Sequence, residues 1–406
     1  MTSMNKRKIF NDPVYGFISI PYDIVYDVIE HPYFQRLRRI QQLGLSTLVY
    51  PGATHSRFHH SLGAMHLMHK TLETLRSKGH TITEEEAQAA VLAILMHDLG
   101  HGPFSHALEG VIVPGVHHEH ISMLLMQRLE KEFGELIALA IAIFTNRHPK
   151  KFLHQLVSGQ LDMDRMDYLN RDSFYTGVSE GVIGYDRIIN MIDVHDDSIV
   201  VEEKGLYSVE KFIVARRLMY WQVYLHKTSL VADLMLKNAI LRGREVLSEN
   251  KNGLSGDLLF FLENNISQQD FEQHLDRFAM LDDVDIQQAL KAWMNSEDVI
   301  LRHLSTSIIN RQLFKIEFLD ENAAAIKLAQ LQQYFSPDEL RYLLMSGTAR
   351  NNAYNPDKDN IYIKMKDGSI KEITAITEQW NIRSLSNPVV KHYLAYPKTI
   401  RHENKH

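Results

Sequence analysis

Cysteine is absent from the 406 residues, which removes disulfides and thiolate metal sites together and leaves nitrogen and oxygen donors to hold any metal. Long apolar runs are absent too: no stretch reaches the roughly 18 apolar residues that a membrane span requires. The first ten residues, Met1 to Phe10, are basic with no apolar segment behind them, so the expectation is a cytoplasmic protein without a membrane partner. A surplus of positive charge is also missing. Lys and Arg total 44 against 50 Asp and Glu, a net charge of −6, which argues against a protein that coats polyanions and makes nucleic acid a poor candidate partner. A local basic pocket for one small anion remains compatible with that balance. Neither internal repeats nor low-complexity segments occur.

What is present fits a packed fold. Apolar residues make up 45% and charged residues 23%, and the length predicts one domain of about 200 to 250 residues with a smaller appendage. Apolar residues recur at helical spacing in Val25, Ile29, Phe34, Leu37 and Ile40, in Ala89, Leu92, Ala93, Leu95 and Met96, from Ile121 to Phe144, and from Lys211 to Val246. Three segments predict small hairpins: residues 9–20 broken at Asn11-Asp12-Pro13, 198–207 turning at Lys204-Gly205, and 361–373 turning at Asp367-Gly368. The polar stretch Ser248 to Gly256 predicts a boundary between a core of residues 1–247 and a mainly helical C-terminal region of residues 257–397. The tail after Pro397 is polar and is expected to fray.

Histidine is the unusual residue. Of 22, twelve fall between His55 and His120. Four strings hold the chemistry: Arg57-Phe58-His59-His60-Ser61, the ten residues HDLGHGPFSH from His97 to His106, His117-His118-Glu119-His120, and Asp162-Met163-Asp164-Arg165-Met166-Asp167-Tyr168. His97 and Asp98 follow the apolar run Val91 to Met96 and precede Leu99-Gly100, which predicts that they close a buried helix. Adjacent residues diverge by about 100° around a helix, yet both side chains can converge on an ion beyond its end. His60 and Asp164, on two other helices, would complete a ligand set of the kind that bundles build in their cores. It suits a divalent manganese, iron, nickel, zinc or magnesium ion. A lone histidine at a helix end is usually solvated or capped; this many titratable groups are hard to explain by packing, because burying them without partners is costly.

These strings resemble the HD-domain phosphohydrolases, whose signature of His, His-Asp and Asp is met here by His60, His97, Asp98 and Asp164. Within that superfamily RFHHS, HDLGHGPFSH and DMDRMDYLNRD are similar to the deoxynucleoside triphosphate triphosphohydrolase branch, over residues 8–237 with weaker matches near Arg311. The resemblance implies a mainly α fold, an HD-domain helical bundle with small β-hairpins and a smaller α+β C-terminal region. It also implies deoxynucleoside triphosphates as substrates, attack of water on the α-phosphorus, and release of a deoxynucleoside and intact tripolyphosphate.

By the same resemblance the four signature residues hold the metal, Arg57 and His101 contact phosphate oxygens, and His106 lies beside the α-phosphate. His118 is the proton-transfer histidine with Glu109 as its orienting carboxylate, where relatives commonly carry Asp. Gln42, Leu43, Tyr168, Asp172 and Tyr224 recognise base and sugar: Asp172 faces the 3′-hydroxyl, and Tyr168 packs near C2′ so that ribose is excluded. Core packing is the competing account of the two tyrosines. Arg216 and Lys227, on the string RRLMYWQVYLHK, would reach phosphates or face solvent, and Tyr220 stands where some relatives have His. Some relatives are tetramers activated by nucleotides between subunits; the matching positions are Lys8, Glu30, Gln35, Arg38, Arg311 and Lys315, which otherwise read as surface charges. A homo-oligomer, dimer or tetramer, and an activating nucleotide follow as expectations.

Two other functions fit parts of this pattern. One is an HD phosphohydrolase acting on a nucleoside monophosphate, an alarmone or a cyclic dinucleotide. The other is a nucleotide-sensing module with a purely structural metal, which the net charge and the lack of a basic aromatic stripe disfavour.

Overall fold

The architecture is taken from a computed structural model that describes residues 8–351, 360–376 and 389–399. The basic segment before Lys8 and the polar tail from residue 400 onward lie outside the described residues. Helices dominate, and small sheets sit at their margins. The helix Glu84–Met96 runs through the middle; Ala87 and every residue from Ala89 to Met96 are buried, as expected of a helix that is apolar all round. Thr83 and Glu86 start it reciprocally, Oγ1 of Thr83 accepting from Glu86 N and Oε2 of Glu86 accepting from Thr83 N. Helices Arg57–Ser77 and Glu135–Phe144 pack on it, and Met163–Thr176 packs on the far side of Arg57–Ser77. The last contact is close because position 63 is glycine: a Cβ there would sit 1.9 Å from Asp167 Oδ1.

Two long tracts differ from the sequence expectation. The 121–144 tract breaks at Gly134, whose φ of +79° ends His118–Phe133 before Glu135–Phe144 begins. The 211–246 tract is also two helices, Leu206–Met219 and Lys227–Glu245. Between them Tyr220–Tyr224 form one wide π-turn closed by Leu225 N to Tyr220 O at 2.7 Å, the kind of bulge that re-aims side chains at functional sites.

Strands β1 (Ile9–Asp12) and β2 (Gly16–Ser19) form the first hairpin. The second hairpin is displaced from its predicted place. Its strands are β3 (Ile192–His195) and β4 (Ser198–Glu202), and they turn at Asp196 and Asp197, both with positive φ; Asp tolerates that region by bonding its own backbone, so the turn carries no glycine signal. Lys204 and Gly205 instead lead into the helix Leu206–Met219. Three further strands in chain order are β5 (Lys315–Leu319), β6 (Met345–Asn351) and β7 (Tyr362–Lys364). The last two are β8 (Ile370–Glu372) and β9 (Val389–Tyr396). β7 and β8 are the third hairpin, and β7 joins β4 in parallel to give the order β3-β4-β7-β8. The sheet β5-β9-β6 has no counterpart in the sequence reading.

One apolar core runs from Ile18 to Ala395 and crosses the 248–256 stretch. Trp293 is its largest fully buried side chain; its indole N–H donates to Asn250 O, and its ring lies where a Cβ on Gly243 would stand 2.6 Å away. Among the described residues, no helix is long and apolar enough to cross a membrane.

Candidate active site

His60, His97 and Asp164 come from three helical elements and meet with their ligand atoms within 4.8 Å of one another. His60 Nε2 lies 3.1 Å from Asp164 Oδ1 and 3.4 Å from His97 Nε2, and His97 Nε2 lies 3.5 Å from the same carboxylate oxygen. Asp98 closes the ring, with Oδ1 3.3 Å from His97 Nε2 and Oδ2 3.8 Å from His60 Nε2. His97 is the C-cap of Glu84–Met96, so the two adjacent side chains project past the helix end.

The outer contacts settle what these donors can hold. His97 Nδ1 is 2.6 Å from Ile94 O, and His60 Nδ1 is 2.8 Å from Asp167 Oδ2. Both acceptors require a proton on Nδ1, which leaves Nε2 of each neutral ring as a bare lone pair aimed at the other. Two lone pairs and two carboxylates this close repel unless a cation or extra protons lie between them. Burial pushes His60 down, but hydrogen bonds to Asp164 and Asp167 outweigh it and raise the pKa to about 10. The donor set therefore fits a divalent metal with nitrogen and oxygen preference. Asp167 is in turn held by Arg171, which reaches Asp12 on β1.

Next to this cluster, Arg57 donates to Asp98 Oδ2 at 2.7 Å and to Ser105 Oγ at 2.9 Å. His101 Nε2 is 3.1 Å from Asp98 Oδ1. Its ring stacks on that of His118, with centroids 4.0 Å apart and planes 16° from parallel. Glu109 Oε1 accepts both the backbone N–H of His118 and its Nδ1 at 2.6 Å, and these bonds hold the Glu109 carboxyl below its usual pKa despite partial burial. Gly100 permits the close crossing of these segments: a Cβ would lie 2.1 Å from His118 O. His106 is exposed on the short helix Ser105–Leu108, with its ring centroid 6.3 Å from that of His101.

Tyr168 and Tyr224 meet edge to face at 5.9 Å. Tyr224 Oη donates to Asp172 Oδ2 at 2.8 Å, and His55 Nε2 holds Asp172 Oδ1 at 2.7 Å. Burial raises both tyrosine pKa values, so both hydroxyls keep their protons. Gln42 and Leu43 are buried, and Gln42 Oε1 has no hydrogen-bond partner among the described residues. Arg216 donates to Gln160 Oε1, whereas Lys227 is exposed at the start of its own helix beyond the π-turn, so the two do not share one continuous helix.

The six positions expected to bind a regulatory nucleotide each have local contacts or surroundings of their own. Arg38 donates to Gln35 Oε1 and lies 3.6 Å from the Phe58 ring centroid, Lys8 lies over Tyr26, and Glu30 is exposed at the end of Asp23–Glu30. Arg311 instead donates to Leu48 O, and Lys315 pairs with Glu317 on β5. Sequence reasoning missed Asp167, His55, Ser105 and Ser122, which links His97 O to Gly100 N. Asp167 had a usable signal: it follows Asp164 by three residues on a helix and so shares its face.

Residues 57–172 match the HD domain, and residues 183–255 match an HD associated region. A phosphohydrolase of known crystal structure from Bacteroides thetaiotaomicron is 51% identical, with 96% of this chain and 100% of that one covered and a TM-score of 0.90. The uncharacterized protein YwfO of Bacillus subtilis is 32% identical over 98% of this chain and 94% of its own length. A deoxynucleoside triphosphate triphosphohydrolase SAMHD1 homolog of Dictyostelium discoideum is 32% identical over 61% of this chain and 51% of its own length. The chain belongs to the HD-domain phosphohydrolase superfamily, in its SAMHD1-like branch. Its chemistry is that of a metal-dependent hydrolase.

Proposed function

We propose that the protein hydrolyses deoxynucleoside triphosphates to deoxynucleoside and tripolyphosphate. One observation carries the reading: an unbroken run of contacts joins the metal-ligand cluster through Asp98 and His101 to the His118–Glu109 pair. Metal donors, the Arg57 guanidinium and a carboxylate-held imidazole thus adjoin one another, as hydrolysis of a phosphate ester demands. The relatives named as triphosphohydrolases supply the substrate class.

A divalent metal held by His60, His97, Asp98 and Asp164 would polarise a phosphoryl oxygen and make bound water a stronger nucleophile. Arg57 and His101 contact phosphate oxygens, with Arg216 and Lys227 reaching the outer phosphates and His106 flanking the α-phosphate. His118, its Nδ1 proton directed at Glu109, presents Nε2 to the leaving 5′-oxygen and delivers a proton as the P–O bond breaks. Asp172, already bonded by His55 and Tyr224, offers its remaining lone pairs to the 3′-hydroxyl; Tyr168 closes the space at C2′, and Gln42 and Leu43 face the base. Activation by a second nucleotide at Lys8, Glu30, Gln35, Arg38, Arg311 and Lys315 goes with assembly into a homo-oligomer. A cytoplasmic setting accords with this substrate. The test is product analysis after incubating metal-loaded protein with the four deoxynucleoside triphosphates, singly and mixed. Tripolyphosphate supports the proposal; orthophosphate, or turnover of monophosphates or cyclic dinucleotides alone, overturns it.

A further inference from the structure

A buried carboxylate from the C-terminal region grips both segments that wall the site. Asp283 opens the helix Asp283–Trp293 and is 3% exposed. Its Oδ1 accepts from Phe104 N at 2.8 Å and its Oδ2 from Gln41 N at 2.8 Å, bonds that span 179 and 242 positions of sequence. Gln41 precedes Gln42 and Leu43, and its backbone bridges to Ser56, the residue before Arg57. Phe104 adopts the left-handed conformation, φ +43° and ψ +46°, and immediately precedes Ser105 and His106. A β-carbon makes that conformation unfavourable, so it persists only where surrounding bonds impose it. Burial pushes the Asp283 carboxyl up to about 6 against two N–H donors and Arg57. Removing such a group from water is costly, and the two backbone N–H bonds it accepts offset that cost while tying both segments to one side chain. The neighbouring backbone adds a second tie: Arg36, fully buried, donates to Leu281 O, Leu99 O and His101 O.

We infer that Asp283, which lies beyond both matched regions of the hydrolase family, is a positioning residue that sets the Phe104 turn and the Gln41 backbone in the geometry the reaction uses. The inference rests on the hydrolytic reading of the cleft. It makes the C-terminal region part of the active site: losing one oxygen acceptor would let residues 104–106 relax, and a displacement of about 1 Å there costs on the order of 10²-fold in rate.

The test compares Asp283→Asn with Asp282→Ala in the full-length, metal-loaded chain. Asp282 caps the same helix through Val284 N and pairs with Arg39, but touches neither wall of the site. The expected result for Asp283→Asn is a kcat at least 30-fold below wild type with KM changed by less than threefold, unchanged metal content, and faster amide exchange across residues 101–108. Asp282→Ala should lower Tm and leave kcat within threefold of wild type and exchange at 101–108 unaltered. Equal losses in the two variants, or a kcat within threefold of wild type for Asp283→Asn, would overturn the inference. If wild type turns over no deoxynucleoside triphosphate, the functional reading fails, and amide exchange still decides: slow exchange at 101–108 in Asp283→Asn refutes the positioning role.

Discussion

Glu109 accepts two hydrogen bonds from one residue, the backbone N–H and the ring Nδ1 of His118, so this carboxylate fixes both where the imidazole sits and which nitrogen faces the cleft. Both side chains are partly exposed, 33% for His118 and 35% for Glu109, so the pair sits at the margin of the packed interior. The distance of 2.6 Å leaves no slack in the pair.

That relationship predicts a graded pair of defects. His118→Ala should retain metal and lose about 10²- to 10³-fold in kcat, the range expected when one general acid is removed. Glu109→Gln keeps an acceptor but loses the charge, and should lose about tenfold. Metal content by mass spectrometry alongside steady-state kinetics checks both; loss of metal in His118→Ala would contradict the assigned role.

Removing a metal ligand should act differently. His97→Ala deletes the Nε2 donor that lies 3.3 Å from Asp98 Oδ1 and 3.5 Å from Asp164 Oδ1. Bound metal and turnover should disappear together. Chelator treatment of wild type should abolish turnover reversibly, with recovery on adding a divalent ion.

Selectivity at the sugar should follow Tyr168. Replacing it by Ala opens the space beside Tyr224, so the preference for deoxyribonucleotides over ribonucleotides should fall by about tenfold in the ratio of kcat/KM values. An unchanged ratio would return Tyr168 to a packing role.

A stability prediction comes from outside the cleft. Asp193 on β3 bonds Lys364 on β7 at 2.8 Å and also His80. Burial raises its pKa, but the bonds from Lys364 and His80 outweigh that and hold it at about 2. Between about pH 4 and pH 2 the unfolded chain binds more protons at this site than the folded one, so the contribution is full above the unfolded pKa and fades as pH falls through that window. Lys364 is 40% exposed and solvent screens the pair. Asp193→Asn should therefore cost only about 1 kcal/mol at pH 7, and the difference from wild type in urea melts should shrink as pH drops from 5 to 3. A difference that grows on acidification would reverse the assignment.

The candidate metal donors at His97 and Asp98 were legible as a pair because they are adjacent, and a buried apolar run points to the helix they close. The turn at Asp196-Asp197 was not legible, since both residues enter the left-handed region without the glycine that announces it. The helix break at Leu225 was hidden by continuous apolar spacing through the π-turn. His55 with Asp172, and Asp283 with Gln41 and Phe104, join residues more than a hundred positions apart; periodicity and motif spacing carry no information about such pairs. The sheet β5-β9-β6 likewise depends on pairing between strands distant in sequence.

The most direct test of the account is the phosphorus NMR spectrum of the products formed when the metal-loaded protein meets a deoxynucleoside triphosphate. Tripolyphosphate appearing in step with free deoxynucleoside, and absent from the His97→Ala variant, is the predicted result. Orthophosphate as the first product, or tripolyphosphate formed equally well by His97→Ala, would contradict it.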